Sequence, residues 1–125
     1  LVVEDEPSLL MLYRLQLQRW PMSPDIDIAP DGIEALVKVG VNKPHLLITD
    51  LLMPHLDGFE MLRRLRSLPD LAEMEIVAVT GLTPEEIQSR GRLPAEVPVL
   101  PKPIPFEELE RIAVRAAMHR GLMPS

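Results

Sequence analysis

Short apolar runs alternate along the chain with longer stretches of helical periodicity. Leu1-Val2-Val3 is an apolar run cut off by Glu4-Asp5-Glu6, as at the end of a buried strand. Pro7 suits a first helical turn, where its missing N–H has no partner to lose. A helix is predicted from Pro7 to Arg19, ended by Pro21 and Pro24. Its core stripe is read as Leu9, Leu12, Tyr13 and Leu17, which leaves Leu10, Met11 and Leu15 outside it. Ile26 to Ala29 alternates like a short strand, and Asp31 can cap a helix running to about Asn42. His45 to Thr49 is a run fit for a strand covered on both faces, and Asp50 ends it. Leu51 to Asp57 reads as a loop carrying Met53-Pro54 and followed by Gly58. The helix from Phe59 to Leu68 has Phe59, Met61, Leu62, Leu65 and Leu68 as apolar positions. Glu75 to Val79 is the next strand, closed by Thr80-Gly81. Thr83-Pro84-Glu85-Glu86 is a capping box that opens a short helix ending near Gly91. Val97 to Leu100 is a last strand, and Pro98 and Pro101 confine it to a sheet edge. Pro105 opens a final helix to about Arg120, with Phe106, Leu109, Ile112, Ala113 and Ala116 as its stripe.

The order is β-α five times over, which implies an α/β fold with a parallel sheet and helices on both faces. Ligands of open α/β sheets bind outside the carboxyl ends of the strands. The residues expected there are Glu4, Asp5, Asp50, Thr80 and Lys102. Neighbouring strands lie about 5 Å apart, so carboxylates at their ends repel unless a cation joins them. Mg²⁺ is the cation that takes one or two carboxylates and keeps sites for water or phosphate oxygens. Lys102 is a point charge for a phosphoryl oxygen, Thr80 is a hydroxyl donor, and Asp50 is a candidate nucleophile for an acyl phosphate. Phosphoryl transfer needs mainly positioning and charge neutralisation, and this set supplies both.

Composition narrows the picture. At 125 residues one domain is expected, over residues 1–120, with 121–125 as a tail or linker stub. The first residue is not Met, so the natural protein is expected to start a little earlier. No cysteine is present, which removes disulfides and thiolate metal sites. A net charge of −6 argues against nucleic-acid binding by this domain. No apolar run approaches a membrane span and no signal peptide is visible, so a cytoplasmic location is expected. His45 and His55 lack helical i, i+4 spacing and are not read as metal ligands.

The sequence resembles the receiver domain of a two-component response regulator. The resemblance rests on Val3-Glu4-Asp5-Glu6-Pro7, Ile48-Thr49-Asp50-Leu51-Leu52-Met53-Pro54 with Asp57-Gly58, Val79-Thr80-Gly81, and Lys102-Pro103, and covers essentially the whole chain. It implies a flavodoxin-like α/β/α sandwich with strand order 2-1-3-4-5. It implies that Asp50 takes a phosphoryl group from a sensor histidine kinase or a histidine phosphotransfer domain. Glu4, Asp5 and Asp50 would hold Mg²⁺ together with the backbone carbonyl of Leu52. Thr80 and Lys102 would bind phosphoryl oxygens, and the Lys102-Pro103 peptide would be cis. Such a domain is a self-phosphorylating and autodephosphorylating switch for a fused or separate output domain, not a turnover enzyme.

Three departures from the family pattern change expectations. Val99 stands where many receivers carry a switch aromatic. Leu52 and Leu82 flank the expected path of hydrolytic water and cannot orient one, so slow loss of the phosphoryl group is expected. Pro94 to Val99 replaces the acidic and aromatic stretch of a common dimer mode, which is therefore not implied. Met11 and Leu15, outside the core stripe, are read either as ordinary scattered surface apolarity or, as the resemblance implies, as a docking surface for a four-helix phosphodonor. The alternative is a pseudo-receiver, a protein-interaction module that works without phosphate. An aspartyl-phosphate hydrolase fits poorly, because Leu52 occupies the place of its second aspartate.

Overall fold

The computed structural model describes residues 1–53, 57–91 and 93–124. In chain order the elements are β1 Val2–Val3, α1 Pro7–Leu17, β2 Ile28–Ala29, α2 Gly32–Asn42, β3 Leu46–Thr49, α3 Gly58–Ser67, β4 Glu75–Thr80, α4 Pro84–Arg90, β5 Val99–Pro101 and α5 Phe106–His119. A turn of 3-10 helix at Pro69–Leu71 joins α3 to β4. The five strands form one parallel sheet in the order β2-β1-β3-β4-β5, as expected.

Alternation along the strands divides the core. Val3, Leu47, Ile76 and Ala78 point to one face of the sheet, where Ala35 and Val39 of α2 and Phe59, Leu62 and Leu65 of α3 cover them. Val2, Ile48, Val77, Val79 and Leu100 point to the other, under Tyr13 and Leu17 of α1, Trp20, and Leu109 and Ala113 of α5. The rings of Tyr13 and Phe106 meet edge to face with centroids 5.6 Å apart, joining α1 to α5.

Local chemistry sets the helix ends. Asp31 accepts a hydrogen bond from the Glu34 N–H at 2.8 Å, as its cap position predicts. Asp57 does the same for α3 by accepting from Phe59 at 2.8 Å. Thr83 and Glu86 form the reciprocal capping box of α4. At the β2 edge the Lys38 ammonium donates to Asp27 and to the Ile28 carbonyl, and Asn42 donates to the other Asp27 oxygen. Ile28 of β2 and Asp27 just before it are thereby tied to α2.

Several readings are corrected. Leu12 is 38% exposed, and Leu10 takes its place against the core. Leu68 is exposed and extended, because Pro69 disfavours the helical conformation of the residue before it. β5 begins at Val99 rather than Val97, whose N–H turns back to Pro94. Met11 and Leu15 are exposed at 65% and 55%, as their position outside the stripe implies. Pro54 and His55 lie outside the described residues, and His45 is exposed at the N-terminal end of β3.

Candidate functional site

The sheet hydrogen bonds continue one residue past the strands and set the floor of the site. Glu4 N–H donates to the Ala29 carbonyl at 3.0 Å, and Asp50 N–H donates to Val3 at 3.1 Å. Glu4 and Asp50 therefore leave adjacent strand ends. Lys102 N–H donates to the Thr80 carbonyl at 2.9 Å, which holds the last of the set at the end of β5. The Lys102-Pro103 peptide is cis, as the resemblance implied.

The Lys102 ammonium lies between two carboxylates, 2.8 Å from Glu4 Oε1 and 2.9 Å from Asp50 Oδ2. Glu4 is only 2% exposed, and burial pushes its carboxyl above the ordinary glutamate range against the pull of Lys102. Burial works against the charge of Lys102 as well, but its bonds to Glu4 and Asp50 outweigh that and hold it above the ordinary lysine value. The second oxygen of each buried carboxylate is held by backbone. Glu4 Oε2 accepts from the Glu6 N–H at 3.2 Å, and Asp50 Oδ1 accepts from the Leu51 and Leu52 N–H groups at 2.6 and 3.1 Å.

Asp5 is exposed at the mouth, and one oxygen each from Glu4, Asp5 and Asp50 falls within 4.8 Å of the others. Three hard oxygen donors at this separation suit a hard divalent cation. Thr80 ends β4, buried, with its hydroxyl accepting from the Leu82 N–H at 3.1 Å. Leu52 is half exposed and Leu82 is buried. Val99 is exposed at the sheet edge, and Tyr13 is turned into the α1–α5 core.

The structure thus brings Glu4, Asp5, Asp50 and Lys102 together, sets Thr80 at the end of β4 between β3 and β5, and sets Leu52 in the loop just beyond β3. Sequence reasoning missed the backbone donors of Glu6, Leu51 and Leu52. It also missed the contact of Gly58 with Leu51. A Cβ on Gly58 would lie 2.7 Å from the Leu51 carbonyl oxygen. The signal in the sequence was the Asp57-Gly58 pair, read as a loop end and as part of the family motif but not as a close backbone approach.

Comparison with known proteins agrees with this geometry. The response regulator receiver domain family matches residues 1–114. A 14.6 kDa uncharacterized protein from the sodA1 3' region of Leptolyngbya boryana is 33% identical over 112 residues, 90% of this chain and 84% of that one. Response regulator MprA of Mycobacterium sp. (strain KMS) is 34% identical over 109 residues, 87% of this chain and 46% of its own length. Sensor protein EvgS of Escherichia coli is 44% identical over 66 residues, 53% of this chain but 5% of that protein. The chain therefore spans under half of MprA and a small part of EvgS.

Among solved structures, the signal receiver domain of a histidine kinase from Syntrophus aciditrophicus superposes with a TM-score of 0.82 at 25% identity, covering 99% of this chain and 91% of that one. The receiver domain of a DNA-binding response regulator from Colwellia psychrerythraea gives 0.80 at 28% identity, covering 91% and 93%. The family match covers residues 1–114 and the relatives and solved structures cover most of the chain, and the chain belongs to the response regulator receiver domain family of two-component systems.

Proposed function

We propose that this domain accepts a phosphoryl group on Asp50 from a histidine kinase or histidine phosphotransfer domain and switches an output domain, fused or separate. The observation that carries the reading is the convergence of Glu4, Asp5 and Lys102 on the Asp50 carboxylate. An Asp50 oxygen forms the new O–P bond as the donor's N–P bond breaks, and the electron pair stays on the donor imidazole. Lys102 is placed to hold a phosphoryl oxygen, and Thr80 to donate to another once its hydroxyl turns from Leu82. Glu4, Asp5, Asp50 and the Leu52 carbonyl would hold Mg²⁺, which neutralises charge on the transferring group. The domain acts once per signal, as a switch rather than a turnover enzyme. Such a donor is met in the cytoplasm, and no helix among the described residues is long and apolar enough to cross a membrane.

Two details refine the reading. Leu52 and Leu82 offer no side chain to orient a water, so the adduct should persist for longer than seconds. Met11 and Leu15 lie exposed one turn apart on α1, with the exposed Arg14 on the same helix and Arg19 just beyond its end, a surface suited to an apolar helical donor with an acidic rim. Met11→Ser with Leu15→Ser should slow transfer from the protein donor and leave a small donor unaffected.

The decisive experiment is labelling with acetyl phosphate and Mg²⁺, read by intact mass, with Asp50→Asn as control. One added phosphoryl group that needs both Asp50 and Mg²⁺ is expected. No adduct from either a small donor or a kinase, together with no Mg²⁺ binding, would overturn the reading in favour of a phosphate-independent interaction module.

A further inference from the structure

The first turn of α3 presses on the peptide that orients the phosphoacceptor. An ideal Cβ on Gly58 would fall 2.7 Å from the Leu51 oxygen, 2.8 Å from its Cα and 3.0 Å from its carbonyl carbon. All three atoms are backbone, so no rotamer change relieves the clash. Leu51 is itself buried. Gly58 is buried at the start of a regular helix, and space rather than a left-handed torsion demands a glycine there.

The crowded peptide unit is Leu51 C=O to Leu52 N–H, and that same N–H donates to Asp50 Oδ1 at 3.1 Å. The Leu51 N–H donates to the same oxygen. Two donors on Oδ1 leave Oδ2 facing Lys102 at 2.9 Å. The tilt of the 51–52 peptide thus sets the rotation of the carboxylate. We infer that Gly58 is a positioning residue: its missing Cβ lets the first turn of α3, fixed by the Asp57 cap, hold the 51–52 peptide so that Asp50 presents Oδ2 to the pocket.

The part of this that concerns transfer rate rests on the proposed function, and the part that concerns carboxylate orientation does not. The test therefore reads both. Amide proton shifts of Leu51 and Leu52 report the bonds to Oδ1, and acetyl phosphate labelling with saturating Mg²⁺ reports the rate per folded molecule. In Gly58→Ala the Leu52 amide should move upfield, toward its position in Asp50→Ala, and labelling should fall about ten- to a hundredfold, the usual effect of displacing a reacting group by a fraction of an ångström to 1 Å. Gly91→Ala is the control. Gly91 has a φ of +133°, so alanine there is strained, but it closes the C-terminal end of α4 and a Cβ there would meet only the Arg63 side chain, at 3.4 Å. Its Leu52 amide and its rate per folded molecule should match the unsubstituted chain.

An unchanged Leu52 amide and rate in folded Gly58→Ala overturns the inference, as does an equal loss in Gly91→Ala. Should Gly58→Ala fail to fold, Asp57→Ala decides. It removes the bond to Phe59 that fixes the helix start, leaves position 58 as glycine, and should shift the Leu52 amide with a several-fold slower rate. No change in either readout there also overturns the inference. Absence of labelling in the unsubstituted chain, with the Leu52 amide still responding to Gly58→Ala, would sink the phosphoacceptor reading and leave the positioning role standing.

Discussion

Asp50 and Thr80 end neighbouring strands, yet the helices that follow them are held very differently. α3 buries Gly58, Phe59, Met61, Leu62 and Leu65, and Arg66 near its end donates to the carbonyls of Leu71, Ala72 and Met74 and to Glu96. α4 is seven residues long and buries none of them. Its own capping box and the partly buried Ile87 are its main ties. One wall of the site is thus anchored in the core and the other rests on the surface. Segments with few buried contacts open at low free energy. Asp50 precedes the wall anchored in the core, and Thr80 precedes the wall that rests on the surface.

The sharpest way to break this contrast is by truncation in the two helices. Phe59→Ala should cost about 3–5 kcal/mol, the range for a fully buried aromatic. Ile87→Ala should cost under about 1 kcal/mol, and urea unfolding followed by circular dichroism compares the two. Equal losses would put α4 in the core after all. Arg66→Ala comes next, at about 1–3 kcal/mol, because it leaves backbone carbonyls without a charged donor. It is read as a lower thermal midpoint. Thr83→Ala should remove about 1 kcal/mol from α4. That loss should show as faster hydrogen exchange over residues 84–90, with the global midpoint hardly moved.

The smallest effect lies at the β2 edge, on the firmly held side. Hydrogen bonding to Lys38 pulls the Asp27 carboxyl below its ordinary value. A lowered carboxyl supports the fold above its unfolded value near 3.8, and that support is lost as the pH falls through the folded value. Asp27→Asn should therefore flatten the stability profile below about pH 4 and leave the slope at neutral pH unchanged. A parallel acid limb in both proteins would show that the pair contributes nothing.

The order of elements and the residues of the site were legible because strands end where apolar runs meet Glu4, Asp50 and Thr80. Prolines and caps marked most helix starts within one residue. The face of α1 was harder to read. That helix is apolar nearly all round, so periodicity could not choose between Leu10 and Leu12, and its rotation follows from where Tyr13 meets Phe106. The end of α3 was readable in principle from Pro69, which bars Leu68 from the helix. The bonds of Asp50 to Leu51 and Leu52, and the crowding at Gly58, depend on backbone approach across a loop. No spacing rule reports such approaches.

β5 carries one more consequence. The Pro98 carbonyl and the Lys102 N–H both bond to β4, so by alternation Val99 and Pro101 face the open side of the sheet. Pro101 has no N–H to offer there, and the strand is three residues long. A passing chain in search of a template finds a single amide donor on this stretch. The edge is thereby blunted against strand-to-strand polymerisation, which lets a signalling domain expose its sheet margin without inviting fibres.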